Sequence, residues 1–319
     1  MIAAIGLFVV GILMLWAGSE FVTRNIGLLA RSLGVKELVI TVLGVSVLSS
    51  LPEMTVSLFA LAKGDAAISL GNIIGSNFVT LTFVTAICAL IRPINIHEEV
   101  QARESSWMIL SSSFVLLLAM DGRLSRSEGV LLILLYLPYV VNVLKTARAG
   151  AETVPSGAVE KSRLWASAGT VLGIFCIIAG SKIALDSGVL LGRALGISSV
   201  VMGVLLFAFG TSLPELTISL SATFKQKSDV TIGEVYASNI FTQLVVLGLC
   251  CLFRPMEVAP ALTTFAMPFL IVASVAIQLF VTSGRRLNRI EALGLMGFYL
   301  VFAVSQFRPL PSLESILGF

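Results

Sequence analysis

Two short stretches of the chain set a proline and a glutamate side by side in apolar surroundings: Ser49-Ser50-Leu51-Pro52-Glu53 and Gly210-Thr211-Ser212-Leu213-Pro214-Glu215. Both residue types are costly there, because proline removes a helical hydrogen bond and a carboxylate at membrane depth must be compensated. The Pro214 ring leaves carbonyls near Gly210 and Thr211 without intrahelical partners, and in lipid such groups must meet protein, a cavity or an ion. Thr211 and Ser212 stand three or four residues before Glu215, on the same helical face. Carbonyl, hydroxyl and carboxylate oxygens therefore gather at one point, the ligand set that hard cations such as Ca²⁺ and Na⁺ prefer. Ser49, Ser50 and Glu53 supply the same set around Pro52. Two facing carboxylates carry two negative charges, which one divalent cation neutralises.

A second helix in each half extends the pattern. Asn72, Ser76 and Thr80 are spaced by four, as are Glu234, Ser238 and Thr242, so each trio forms a polar stripe on one helical face. Gly71 and Gly75 in one stretch, and Gly233 with Ala237 in the other, permit close helix packing. A single Ser or Thr in a membrane helix usually bonds back to its own backbone, and a charge at the end of a span usually snorkels to the interface. The second account covers Glu20, Arg92, Lys182 and Arg254. It does not cover Glu53 and Glu215, which lie deep in long apolar runs and each follow a proline.

The elements that must position these residues are membrane helices. The 319 residues are 57% hydrophobic and only 12% charged, with mean hydropathy +1.00, whereas soluble domains carry about 25% charged residues. Apolar runs long enough to span a bilayer lie at roughly 2–22, 37–61, 68–91, 105–120, 128–145, 164–184, 197–223, 230–253, 261–282 and 290–306. A signal peptide at 2–18 is disfavoured, since the start lacks a basic segment and runs straight into further spans. The four cysteines fall inside apolar runs without ligand spacing and read as small core residues, and His97 reads as a solvated loop residue. With ten spans, fourteen of the 21 Lys and Arg residues fall on one side of the membrane and seven on the other. The positive-inside rule then places both termini outside.

Shifted by 162 residues, the sequence falls onto itself. Ala17-Gly18-Ser19 meets Ala179-Gly180-Ser181, Ser50-Leu51-Pro52-Glu53 meets Ser212-Leu213-Pro214-Glu215, Ser76-Asn77 meets Ser238-Asn239, and Arg92-Pro93 meets Arg254-Pro255. One inserted residue later, 124–137 matches 287–300. Each copy carries five spans, an odd number, so the second enters the membrane from the opposite side. Inverted repeats with interrupted helices in matching positions are the signature of alternating-access transporters, whose sites lie near the midplane between the copies. The expected fold is therefore all-α: a polytopic membrane protein of ten transmembrane helices in two inverted five-helix repeats. The first repeat is 1–145 and the second 164–319, joined by a short inner linker at 146–163.

At these residues the sequence resembles the sodium/calcium exchanger family of the cation/Ca²⁺ exchanger superfamily. Residues 210–215, 49–53 and 71–77 look like its two repeat motifs, and the resemblance covers essentially the whole chain. It implies ten helices, four of them lining a central site, and exchange of about three Na⁺ for one Ca²⁺ through a sliding bundle. By the same resemblance Glu53 and Glu215 are shared ligands of Ca²⁺ and Na⁺, completed by carbonyls and hydroxyls of Ser49, Ser50, Thr211 and Ser212. Ser76 and Ser238 stand at flanking Na⁺ sites, with the carbonyls of Ala208 and Ser46 as lesser contributors.

The chain departs from the family pattern in three places. Leu48 replaces the glycine that opens the motif, which implies a first copy less freely broken. Thr80 and Thr242 stand where the family has Asn and Asp, which removes a carboxylate from the centre. Glu234 takes the position that is Asn72 in the first copy, one turn before Ser238. It is either a carboxylate moved by about 6 Å along its helix or a residue facing an aqueous vestibule. With Glu53 and Glu215 alone, three Na⁺ leave an uncompensated positive charge. Fewer Na⁺, proton coupling at one glutamate, or participation of Glu234 would each restore the balance.

The function expected is Ca²⁺ for Na⁺ antiport by alternating access. The alternative is a proton-coupled exchanger of Ca²⁺, Mg²⁺ or Mn²⁺. A channel is disfavoured by the inverted repeat with midplane carboxylates. An enzyme is disfavoured because the sequence has no His–Asp–Ser set, HExxH motif or phosphate-cradling loop. No cofactor, nucleic acid or protein partner is implied beyond the ions and the lipid bilayer, and the expected location is a prokaryotic inner membrane.

Overall fold

The structure, a computed structural model, describes residues 1–32, 44–95, 98–149, 160–226, 228–284 and 286–307. His97, the Leu33-Gly34 pair, the start of the 37–61 run and the centre of the 146–163 linker lie outside the described residues.

The described chain is nearly all helical. In order come α1 (Ile2–Ser32), α2 (Ser46–Ser49), α3 (Leu51–Ala62), α4 (Ala66–Ile91), α5 (Glu98–Ala119) and α6 (Arg126–Ala149). The second half holds α7 (Glu160–Ala194), α8 (Ser199–Thr211), α9 (Leu213–Phe224) and α10 (Ser228–Phe241, continued to Phe253). It ends with α11 (Met267–Gly284) and α12 (Arg289–Ser305). Six helical segments are long and apolar enough to cross a membrane: Ile2–Asn25, Ala66–Ile91, Arg126–Lys145, Trp165–Ala194, Thr231–Phe253 and Leu262–Phe280. A seventh is the pair α8 and α9, bent by 43° at Ser212. Ser46–Ala62 and Glu104–Ala119 are shorter apolar helices.

Two spans are central. In α4 and in Thr231–Phe253 of α10, 83% of the apolar window is buried, against 22 to 39% in the other long spans. Those outer helices turn large apolar side chains outward, among them Leu7, Leu134, Val171 and Phe175. That is the inverse of a soluble surface and suits contact with lipid tails. Inside, Phe78 of α4 stacks on Phe302 of α12 with ring centroids 3.9 Å apart, and Phe298 and Tyr299 close the same aromatic cluster.

Glycines set how closely the helices approach. A Cβ at Gly203 of α8 would lie 2.7 Å from the Ile68 carbonyl oxygen, and one at Gly75 of α4 would lie 2.7 Å from the Ala208 Cβ. Real side chains do not tolerate such contacts, so α4 and α8 cross backbone to backbone. Gly18 of α1 and Gly173 of α7 meet in the same way, each aimed at the other's carbonyl at 2.7 Å.

The all-α fold expected from the sequence also carries two short β pairings. Two antiparallel ladders of two residues each join loops of the two halves: β1 (Ile94–Asn95) with β4 (Arg286–Leu287), and β2 (Arg123–Leu124) with β3 (Met256–Glu257). Isolated pairs of this length have no propensity signal of their own, and they form because helix ends bring the strands together. Their registers repeat the sequence offset: Ile94 faces Leu287 as Met256 faces Leu124.

Candidate functional site

Both Pro-Glu stretches break their helices in the same way. Ser50 joins α2 to α3 with φ −83° and ψ 6°, and Ser212 joins α8 to α9 with φ −81° and ψ 6°. This bridge-region conformation is open to any L-residue. The two breaks share this conformation although Leu48 stands in the first where Gly210 stands in the second. The glycine at the matching position, Gly210, serves packing, because a Cβ there would run into the Ile12 side chain of α1.

Each proline sits in the first turn of the new helix, where its missing N–H costs nothing. The Leu48 carbonyl, four residues before Pro52, accepts from Ser19 Oγ at 3.3 Å. Glu53 and Glu215 follow in the same first turns, at the positive end of the helix dipole. The break thus orients a carboxylate and partly offsets its charge.

Every residue singled out in the sequence is buried: Glu53, Glu215 and Glu234, Ser46, Ser49, Ser50, Ser76, Ser212 and Ser238, Thr80, Thr211 and Thr242, and Ala208. Glu215 lies within electrostatic range of both Glu53 and Glu234. Ser50 Oγ reaches across the halves to Glu215 Oε1 at 3.5 Å. Both carboxylate oxygens of Glu53, Oε2 of Glu215 and the Ser212 hydroxyl are buried with no partner at hydrogen-bond distance among the described residues, although the Thr211 hydroxyl stands near Glu53 and the Ser49 hydroxyl near Glu215. The ion pairs described, Arg24–Glu20 and Lys63–Asp186, lie elsewhere. Buried carboxylates without a basic partner require a positive charge from outside the chain. No group of three His, Cys, Asp or Glu side chains forms a metal-ligating cluster among the described residues. A cation held here must therefore draw on carboxylates, hydroxyls and carbonyls together.

Glu234 does not face a vestibule. It is 4% exposed, and its two oxygens accept from Ser46 Oγ at 2.9 Å and Ser49 Oγ at 2.7 Å, at the first break. Its counterpart Asn72 faces the second break, where Thr211 Oγ1 donates to Asn72 Oδ1 at 3.2 Å. Asn72 Nδ2 then donates to the Glu53 carbonyl at 3.2 Å and to Ser57 Oγ at 3.0 Å.

The remaining hydroxyls divide. Ser76, Ser238 and Thr242 donate back to carbonyls of their own helices, the local bonding expected of single hydroxyls. Thr80 does this too, and also reaches Asn239 Oδ1 across the halves at 2.7 Å. At Thr80 and Thr242 both central helices widen into a π-helical segment, Thr80–Val84 and Thr242–Val246, a distortion frequent at functional sites. The carbonyls of Ser46 and Ala208 already accept bonds from the next turn.

Asn72, Asn77, Asn239 and Gln243 also belong to the buried polar network, Gln243 Nε2 donating to Asn77 Oδ1 at 3.1 Å. The duplicated Ser-Asn pair was the available signal for the two asparagines, whereas Gln243 faces Leu81 across the repeat and had none.

Comparison with known proteins agrees with this arrangement. The family model described as sodium/calcium exchanger protein matches residues 3–145 and 165–308. The inner membrane protein YrbG of Escherichia coli is 31% identical over 275 residues, covering 82% of this chain and 83% of its own. The sodium/calcium exchanger MaX1 of Methanosarcina acetivorans is 27% identical, covering 94% of this chain and 97% of its own. Among solved structures, the sodium-calcium exchanger NCX_Mj soaked with Na⁺ and Sr²⁺ superposes with a TM-score of 0.71 at 27% identity, covering 95% of this chain and 98% of that one. Matched over nearly its whole length, in both halves and in three dimensions, the chain belongs to the sodium/calcium exchanger protein family.

Proposed function

We propose that the protein is a secondary active antiporter that exchanges Ca²⁺ for Na⁺ by alternating access, at a midplane site built from the two Pro-Glu helix breaks. The observation that carries this reading is the pair of buried carboxylates, Glu53 and Glu215, on equivalent helix starts, each with at least one oxygen that has no donor at hydrogen-bond distance among the described residues. Ser49, Ser50, Thr211 and Ser212 complete the coordination. Ser76, Ser238, Thr80 and Thr242 and the carbonyls of Ser46 and Ala208 contribute when the helices adjust around an ion. Membership of the exchanger family and the NCX_Mj likeness support the choice of ions.

The six long spans, the bent pair, Ser46–Ala62, Glu104–Ala119 and α12 add to ten passes. We read them as two inverted five-helix repeats, 1–145 and 164–319, joined by the inner linker 146–163, with both termini outside a prokaryotic inner membrane.

The test is Ca²⁺ uptake into proteoliposomes loaded with Na⁺, repeated with a pH gradient in its place. Uptake driven only by the outward Na⁺ gradient is the expected result. Uptake driven by the pH gradient would replace this reading with proton-coupled divalent exchange. Uptake that never saturates and needs no counter-ion would indicate a channel.

A further inference from the structure

The two halves pair their breaks with different partners, and the difference is concerted. At the second break the position that matches Ser46 is Ala208, and the position that matches Glu234 is the neutral Asn72, which accepts from Thr211. At the first break the matching positions are Ser46 and Glu234, bonded to each other at 2.9 Å. The bond from Ser49 to Glu234 is the counterpart of the bond from Thr211 to Asn72, so Glu234 has kept the geometry of its position. It has also lost the amide donors. In the first half Asn72 donates to Ser57; in the second the matching hydroxyl, Ser219 Oγ, is buried without a partner among the described residues. Replacing Asn by Glu therefore forfeits two hydrogen bonds and adds a buried charge. Both Glu234 oxygens act as acceptors, the arrangement that suits an ionised carboxylate.

Building on the exchange reading, we infer that Glu234 is a third ion-binding carboxylate, supplying the negative charge that Thr80 and Thr242 do not. The Ser49 hydroxyl links it to the site, donating to Glu234 while flanking Glu215. Oxygens of Glu53 and Glu215 and the Ser212 hydroxyl are likewise buried without a hydrogen-bond partner among the described residues. Three carboxylates balance three Na⁺. When Ca²⁺ occupies the site, the remaining charge stays on Glu234, held by Ser46 and Ser49. Glu234 thus fixes the number of Na⁺ exchanged for each Ca²⁺.

The experiment measures the Ca²⁺ gradient at which net flux stops in proteoliposomes, with the membrane potential clamped at zero and a tenfold Na⁺ gradient. Three Na⁺ per Ca²⁺ hold a Ca²⁺ ratio of about 1,000, and two hold about 100. The wild type is expected at the first value and Glu234→Gln at the second. The double variant Ser46→Ala/Glu234→Asn copies the Ala208–Asn72 pairing of the other half, guards against misfolding, and is expected to behave like Glu234→Gln. An unchanged ratio in both variants would overturn the inference and leave the exchange reading intact. Wild-type vesicles in which Na⁺ moves no Ca²⁺ would overturn both. If flux is too slow for a null-point, Ca²⁺ self-exchange is compared with Na⁺-driven exchange. A larger loss of the Na⁺-driven flux supports the assignment, and an equal loss of both would refute it.

Discussion

At the second break, Thr211 donates to the amide oxygen of Asn72, and the amide nitrogen satisfies the Glu53 carbonyl and Ser57. At the first break, Ser49 and Ser46 both donate to the Glu234 carboxylate, and Ser219 is left without a partner among the described residues. Ser50 and Ser212 have the same backbone conformation within 2° in φ, so the contrast described here is carried by side chains. One half uses this position to bond two helices through an amide, and on the proposal above the other uses it to hold charge. A duplicated scaffold can therefore keep its backbone geometry while dividing two tasks between its copies.

The largest effects should be those that ignore the contrast. Glu53→Gln and Glu215→Gln occupy equivalent places, and each should lower Ca²⁺ uptake by about 100-fold or more, since each removes a buried charge that a cation depends on. Uptake assays with matched reconstitution would check this, and a variant that left transport intact would remove its residue from the site. Next comes the amide. Asn72→Leu removes the bonds to the Glu53 carbonyl and to the Thr211 and Ser57 hydroxyls, which keep only their longer bonds to the Ala208 and Ser69 carbonyls, and should destabilise the detergent-solubilised protein by about 3 kcal/mol in thermal unfolding.

Ser46→Ala and Ala208→Ser then probe the two sides directly. The first removes a hydrogen bond to a charged acceptor and should cost about 2 kcal/mol, appearing as weaker Na⁺ activation. The second faces a neutral amide and should change Na⁺ activation by less than about 1 kcal/mol. Equal effects would mean that charge at Glu234 does not distinguish the halves. The smallest pair is Ser57→Ala, which loses the Asn72 bond at about 1 kcal/mol, against Ser219→Ala, which should be near neutral in the same unfolding assay because its hydroxyl bonds to nothing described.

The sequence made the repeat legible because polar residues kept a fixed offset through apolar runs in which chance matches are only hydrophobic. It made the breaks legible because proline and glutamate together have few other uses at that depth. The partner of Glu234 was not legible. Helical periodicity tells which residues share a face, but Ser46 and Glu234 are 188 positions apart, and only the packing of α2 on α10 brings them together. The π-helical segments at Thr80 and Thr242 were hidden for a related reason. They arise from how a helix relaxes against its neighbours and carry no residue signature. At Leu48 a missing glycine suggested stiffness, and the use of the matching Gly210, room for Ile12, is visible only in the packing.

The two small ladders bear on the origin of the chain. Each joins a strand of one copy to a strand of the other, and the two have matching registers. A single-copy ancestor pairing with itself about a twofold axis would form both ladders from one sequence. Such a homodimer must carry the same residue at both central positions, two amides or two carboxylates. Asn72 and Glu234 can differ, and Ser46 and Ala208 with them, only where the two copies are separate stretches of sequence. The ladders thus keep in their backbone register a twofold relation between the copies that Asn72 and Glu234 do not keep.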